Sequence, residues 1–176
     1  SSRHWTEAMS KYKDLLSSPL DTPRVAQVGV AYKVTPKVEL TADYKWLHWR
    51  RINTYGSSIF GGGGFGWTNQ HGVKFGVEWL AHPKWTLMAG YAYSNTPIRK
   101  NGVFLAGLVP VVTEQHVTGG VSHKINEKHA VHLSGIWAPK HKMRERGKGD
   151  LLSRLGKGTT IEGRGVSAVL GYSYTW

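Results

Sequence analysis

The nine histidines are the first residues to question for chemistry. His129 and His132 stand in an H-x-x-H spacing. On a strand that spacing sends the two imidazoles to opposite faces, so they are poor joint metal ligands. No H-E-x-x-H and no G-x-S-x-G pattern occurs, and the glycine run Gly61–Gly64 lacks the following Gly-Lys-Ser/Thr of a phosphate-binding loop. The chain has no cysteine, which excludes disulfides and thiolate metal or redox chemistry. The sequence therefore predicts no enzyme, no metal site and no cofactor.

Other residues point to binding. Arg99-Lys100-Asn101 leads into Val103, Phe104, Leu105, Ala106, Leu108, Val109, Val111 and Val112. An exposed loop this apolar has a ligand or a packing partner. Phe104, Leu105 and Leu108 are candidates for a hydrophobic substrate, and Arg99 or Lys100 for a carboxylate head. Packing against neighbouring loops is the alternative. Basic residues gather in the same kind of place: Arg50 and Arg51, Arg99 and Lys100, and then Lys140, Lys142, Arg144, Arg146, Lys148, Arg154 and Lys157, within a formal net charge of +12. A single-stranded nucleic acid would want aromatics interleaved with the basic run. Arg144–Lys157 has none, so nucleic acid is not the expected partner.

The elements that carry these residues show period-two alternation. The last stretch sets Val166, Ala168, Leu170, Tyr172, Tyr174 and Trp176 against mostly small or polar neighbours. Similar strands are read around Val28–Val34, Val38–Trp46, Val73–Trp79, Trp85–Ser94 and His116–His123, with a weaker one over Lys128–Ala138. Short turns at Thr35-Pro36-Lys37, His82-Pro83-Lys84 and Asn126-Glu127-Lys128 alternate strictly with long loops at Arg51–Gln70, Asn95–Val112 and Pro139–Thr159.

Tight turns at one end and long loops at the other predict an all-β, antiparallel, up-and-down transmembrane β-barrel of the outer-membrane kind. The aromatics agree. Tyr32, Trp79, Trp85, Tyr174 and Trp176 fall near the short-turn end, and Tyr44, Trp46, Tyr93 and Trp137 near the other, as two membrane interfaces favour. A soluble β-sandwich is the competing fold. In a barrel, Glu39, Asp43, Lys45, Lys74, Glu78 and Lys124 point into the lumen, where opposite charges can pair across strands. Lys140, Lys142, Arg144 and Arg146 would then meet lipopolysaccharide phosphates of the outer leaflet.

At this point the residues resemble a family. "VAQVGVAYKVTPKVELTADYKWLHW" (Val25–Trp49), "WTLMAGYAYSNTPI" (Trp85–Ile98), "AGLVPVVTEQHVTGGVSHKI" (Ala106–Ile125), "IWAPKH" (Ile136–His141) and "GVSAVLGYSYTW" (Gly165–Trp176) are similar in order and spacing to the C-terminal half of FadL/TodX-type (OmpP1) outer-membrane transporters. The resemblance implies a fourteen-stranded barrel with an N-terminal hatch, of which this chain carries about half. It also implies passive uptake of long-chain fatty acids or hydrocarbons, and location in the outer membrane of a Gram-negative bacterium. Tyr172, Tyr174 and Trp176 look like the C-terminal signal read by the barrel-insertion machinery.

About seven strands is an odd number, whereas bacterial single-chain barrels have even ones. The chain is therefore expected to be a fragment or one part of a split protein, partnered by the missing N-terminal half. Residues 1–23 are expected to form an external loop or short helix, and residues 24–176 the barrel strands. A structural or adhesive outer-membrane barrel and a soluble basic β-sheet binding module are the rival functions.

Overall fold

The computed structural model describes residues 22–57, 64–107, 112–148 and 151–176. Most of the segment expected to be an external loop or helix, residues 1–23, lies outside them. Seven strands form one sheet in chain order: β1 (Arg24–Thr35), β2 (Val38–His48), β3 (Gln70–His82), β4 (Trp85–Ser94), β5 (Gln115–Lys124), β6 (His129–Arg144) and β7 (Thr160–Tyr174). Every neighbouring pair is antiparallel. The sheet is not closed: β1 and β7 are both edges, and β1 is exposed along its whole length.

The register explains why the alternation is so regular. A row of directly opposed residues runs Tyr32, Leu40, Val77, Ala89, Gly119, Gly135 and Ala168 across all seven strands. The next residues along place Ala31, Thr41, Gly76, Gly90, Thr118, Ile136 and Ser167 in the adjacent row. Side chains in successive rows point to opposite faces, so one face is largely apolar and the other, Ile136 apart in this row, small or polar. A slip of one residue in any strand would exchange the faces.

On the apolar face, aromatics bracket the band. In β4, Trp85 and Tyr93 stand eight residues apart. At ~3.3 Å per residue that is ~26 Å along the strand, comparable with the ~25 Å apolar belt of outer-membrane barrels. Histidines share these belts. Trp85 packs at a tilt on its cross-strand partner His123 with ring centroids 4.1 Å apart, and His129 hydrogen-bonds the Tyr172 hydroxyl. At the other end the Tyr44 hydroxyl lies 2.7 Å from His71 Nδ1.

On the polar face, the register sets Lys33 opposite Glu39, Glu39 opposite Glu78, and Asp43 opposite Lys74. Among the described residues these groups form no ion pair within 4.0 Å; the ion pairs there are Lys140–Glu162 and His141–Glu114. Opposite charges thus face each other at Lys33–Glu39 and Asp43–Lys74 without closing a salt bridge, while Glu39–Glu78 sets two like charges together.

One strand end differs from the sequence reading, and one agrees with it. The stretch from Pro139 reads as loop, but β6 continues to Arg144, while β7 begins at Thr160, where that loop reading ends. A register shift between Ala138 and His141 carries the ladder past Pro139. Proline has no N–H to donate and is accommodated at such irregularities. Beyond it Lys142 pairs with Glu162 and Arg144 with Thr160.

Candidate functional site

The long connections gather at one end of the sheet and build a cap with its own apolar core. Trp67, Ile98, Val103, Ala106, Val112 and Met143 are buried together, with Trp49, Tyr55, Phe65 and Ile161 packed against them. These come from the β2–β3 and β4–β5 connections and the outer ends of β6 and β7. Trp67 is the hub: its ring meets Trp49 edge-on at 5.2 Å and stacks with Tyr55 at 4.9 Å. Burial pushes the Tyr55 phenol above its ordinary pKa, because the phenolate would lose solvation. Backbone bonds tie the loops together, with Trp67 N donating to Tyr55 O at 2.6 Å and Thr68 N to Pro97 O at 2.8 Å.

The apolar run read in the sequence is divided by this cap. Val103 and Ala106, in the helical turn Val103–Ala106, face inward and are 0% and 1% exposed. Phe104 faces the other way and is 44% exposed. Its inner edge covers Gly156, where an added Cβ would fall 2.4 Å from Phe104 Cβ, so only glycine permits that approach. Leu105 lies in the same turn. Leu108 lies outside the described residues. Arg99 and Lys100 precede the turn and are exposed. The structure thus brings Arg99, Lys100 and Phe104 to one rim of the cap.

A buried carboxylate holds this rim in place. Glu145 is 2% exposed. It accepts from Phe104 N at 3.1 Å, from Gly147 N at 3.3 Å and from Ser153 Oγ at 2.6 Å. Three donors can offset the desolvation of a buried carboxylate. The sequence reading missed Glu145, since nothing in its spacing marks it as buried.

The outer ends of β6 and β7 carry the basic residues. Lys142 and Arg144 are exposed and alternate with half-buried His141 and buried Met143. Their partners Glu162 and Thr160 continue the apolar-face row of Val166 and Ala168. Lys142 and Arg144 therefore continue outward above the Trp137 belt position. Lys140 Nζ lies 2.8 Å from Glu162 Oε2, and Arg146 is exposed beyond the strand end. The sequence put these cations in a loop, whereas Lys140, Lys142 and Arg144 ride on a strand whose direction they share. Beside them lies a recess of about 950 Å³, between the β6 end and the β4–β5 and β6–β7 connections.

At the opposite end, Tyr172 and Tyr174 close the apolar row of β7, with Tyr174 also against His129 at 5.1 Å. Trp176 is fully exposed and meets Tyr174 edge-on at 5.8 Å. Among the described residues no group of histidine, aspartate and glutamate is arranged to hold a metal, and no helix is long and apolar enough to cross a membrane, a statement that does not touch strands.

An open wall of antiparallel strands with apolar outer and polar inner faces, aromatic belts and a loop cap is the architecture of an outer-membrane β-barrel. The sequence matches the family model described as "Outer membrane protein transport protein (OMPP1/FadL/TodX)" over residues 6–176, and the chain belongs to that family of Gram-negative outer-membrane, channel-like transporters. Solved structures share the fold. The Pseudomonas putida toluene transporter TodX aligns with a TM-score of 0.64 at 14% identity, covering 88% of this chain and 35% of that one. The TodX deltaS2S3 mutant, a monoaromatic hydrocarbon channel, aligns at 0.64 with 17% identity, covering 89% and 36%. A Pseudomonas aeruginosa FadL homologue aligns at 0.52 with 18% identity, covering 85% and 34%. The chain thus spans about a third of the length of these structures. No curated protein matches the sequence.

Proposed function

We propose that this chain forms part of a passive outer-membrane transporter for hydrophobic molecules, long-chain fatty acids or hydrocarbons. The observation that carries the reading is the divided apolar turn. Val103 and Ala106 anchor the cap, while the neighbouring Phe104 remains 44% exposed beside exposed Arg99 and Lys100. Shielding a leucine-sized group from water contributes roughly 1.5–3 kcal/mol, and each methylene about 0.8 kcal/mol. A long acyl or alkyl chain laid over Phe104, Leu105 and Leu108 would collect that gain, with a carboxylate head, where present, reaching Arg99 or Lys100. An adhesive barrel would have no use for such a rim.

The remaining partners follow from the same placement. Lys140, Lys142, Arg144 and Arg146 stand above the outer aromatic belt, at the level of lipopolysaccharide phosphates. β1 and β7 run in the same sense, so an antiparallel complement that closes the wall has an odd number of strands. The missing N-terminal half of the barrel would supply it. Tyr172, Tyr174 and Trp176 form the signal for the insertion machinery. Deleting Trp176 is expected to lower folded, heat-modifiable protein while total expression holds, and an unchanged folded fraction would remove that role.

The test of the transport reading is uptake by cells producing the complete protein. Labelled fatty acids or alkanes of increasing length should enter faster than in cells lacking it, with the advantage growing with chain length. Equal entry with and without the protein would refute the reading.

A further inference from the structure

We propose that the recess beside the β6 end seats one phosphate-bearing headgroup of an outer-leaflet glycolipid. The inference rests on the lipopolysaccharide contact proposed above, and gives that contact a defined seat. Five cations line the recess: Lys100, Lys142, Arg144, Arg146 and Lys157. Among the described residues none of them has a carboxylate within 4.0 Å, since the ion pairs there are Lys140–Glu162 and His141–Glu114; Lys142 faces Glu162 across the β6–β7 ladder at longer range. The two carboxylates in the same walls are already engaged. Glu145 accepts three hydrogen bonds, and Glu114 accepts from Thr96 N at 2.8 Å and faces His141 at 3.7 Å.

The cations come from three segments held in register. Arg146 N donates to Lys100 O at 3.0 Å, which fixes the two basic residues side by side. Gly158 N donates to Glu145 O at 3.1 Å, which sets the neighbouring Lys157 against the same strand end. The Lys157 stem crosses Gly147, whose φ is +72° and whose added Cβ would fall 2.6 Å from Lys157 Cγ. No other residue permits both that backbone and that approach.

The recess exists because β5 stops short. The β5–β6 ladder ends at Val117–Trp137, while β6 runs on to Arg144. The flank of β6 above the belt tryptophan is therefore lined by loop rather than strand. Its level is that of the lipid headgroups. Like charges crowded at one place repel, and a polyanion removes that repulsion. A phosphate offers about −1.5 to −2 charge and three acceptor oxygens. Arginine matches it in bidentate geometry and lysine as a point charge. A single carboxylate would leave most of these cations uncompensated.

Native mass spectrometry of the complete protein in detergent, with bis-phosphorylated lipid A as probe, tests the seat. One tightly retained lipid A per chain is expected. Retention should fall at least tenfold in a Lys100→Gln/Lys157→Gln double variant, recover in Lys100→Arg/Lys157→Arg, and persist in Arg154→Gln, a cation outside the recess. Each variant is first shown to be folded by its heat-modifiable gel shift, and the Arg pair supplies a folded comparison should the Gln pair fail it. Equal losses in the Gln pair and in Arg154→Gln would overturn the recess and leave the general basic surface standing. Equal retention of dephosphorylated lipid A would overturn both. Displacement by inorganic phosphate at matching concentration would reassign the seat to a free anion, and displacement by oleate to a carboxylate, each against the proposal.

Discussion

The strand wall and the loop cap are stabilised against two different solvents. Of the buried apolar residues among those described, Ile52, Trp67, Ile98, Val103, Ala106 and Val112 lie in connections, and only Ala138 and Met143 on strands. The wall has almost no protein core: Val30, Phe75, Leu133 and Leu170 are 64%, 56%, 51% and 75% exposed. Its apolar partner is the bilayer. The cap stands in water and must bury its own apolar groups, as a soluble domain does. A substitution should therefore be judged by lipid depth in the wall and by packing in the cap.

Trp67→Ala should give the largest change. Removing a 2%-exposed indole at the centre of the cap is expected to cost about 3–5 kcal/mol. The damage should stay in the cap, so limited proteolysis should cleave the β2–β3 connection faster while the heat-modifiable band persists. Simultaneous loss of that band would mean that wall and cap fold as one unit.

A wall position should respond to charge instead. Ala89→Arg, on the lipid-facing row, is expected to cost about 2–4 kcal/mol near mid-membrane. Gly90→Arg, on the opposite row, should cost less in solvation, although its Cβ would meet Thr118 Oγ1 at 2.6 Å and require that hydroxyl to turn. Folding titrations into vesicles compare the two, and a costlier Gly90→Arg would reverse the faces.

The smallest effect belongs to the pin between loop and strand. Glu145→Leu removes the acceptor of Phe104 N and Ser153 Oγ and should cost about 1–3 kcal/mol. Faster amide exchange confined to residues 102–107 and 151–156 is the expected signature, and unchanged exchange there would show that packing alone holds the rim.

The same division decides what the sequence disclosed. The wall was legible because lipid on one side and water on the other force a period of two, visible in Trp85–Ser94 and in Val166–Tyr174. The end of β6 was not. Pro139 interrupts the pattern, and Lys140, Lys142 and Arg144 resemble a solvated loop. Their alternation with His141 and Met143 is nonetheless strand-like, and was the signal to follow. The cap was illegible for a different reason. Trp67, Val103 and Val112 meet only in three dimensions, in segments with no period, so neither the burial of Val103 beside exposed Phe104 nor the role of Glu145 is written in spacing. Arg99, Lys100 and Phe104 are marked by residue type alone, and the fold brings them to one rim.

The most direct measurement is uptake of a labelled long-chain fatty acid or alkane by cells carrying the complete protein with Phe104→Asp. A Leu108→Asp variant is run alongside, and barrel amounts are matched by the heat-modifiable band. Phe104 is 44% exposed, so the substitution should leave that band intact. A clear fall in long-chain uptake, larger for longer chains, is predicted. Wild-type uptake by both variants would contradict the account and leave this turn with a packing role alone.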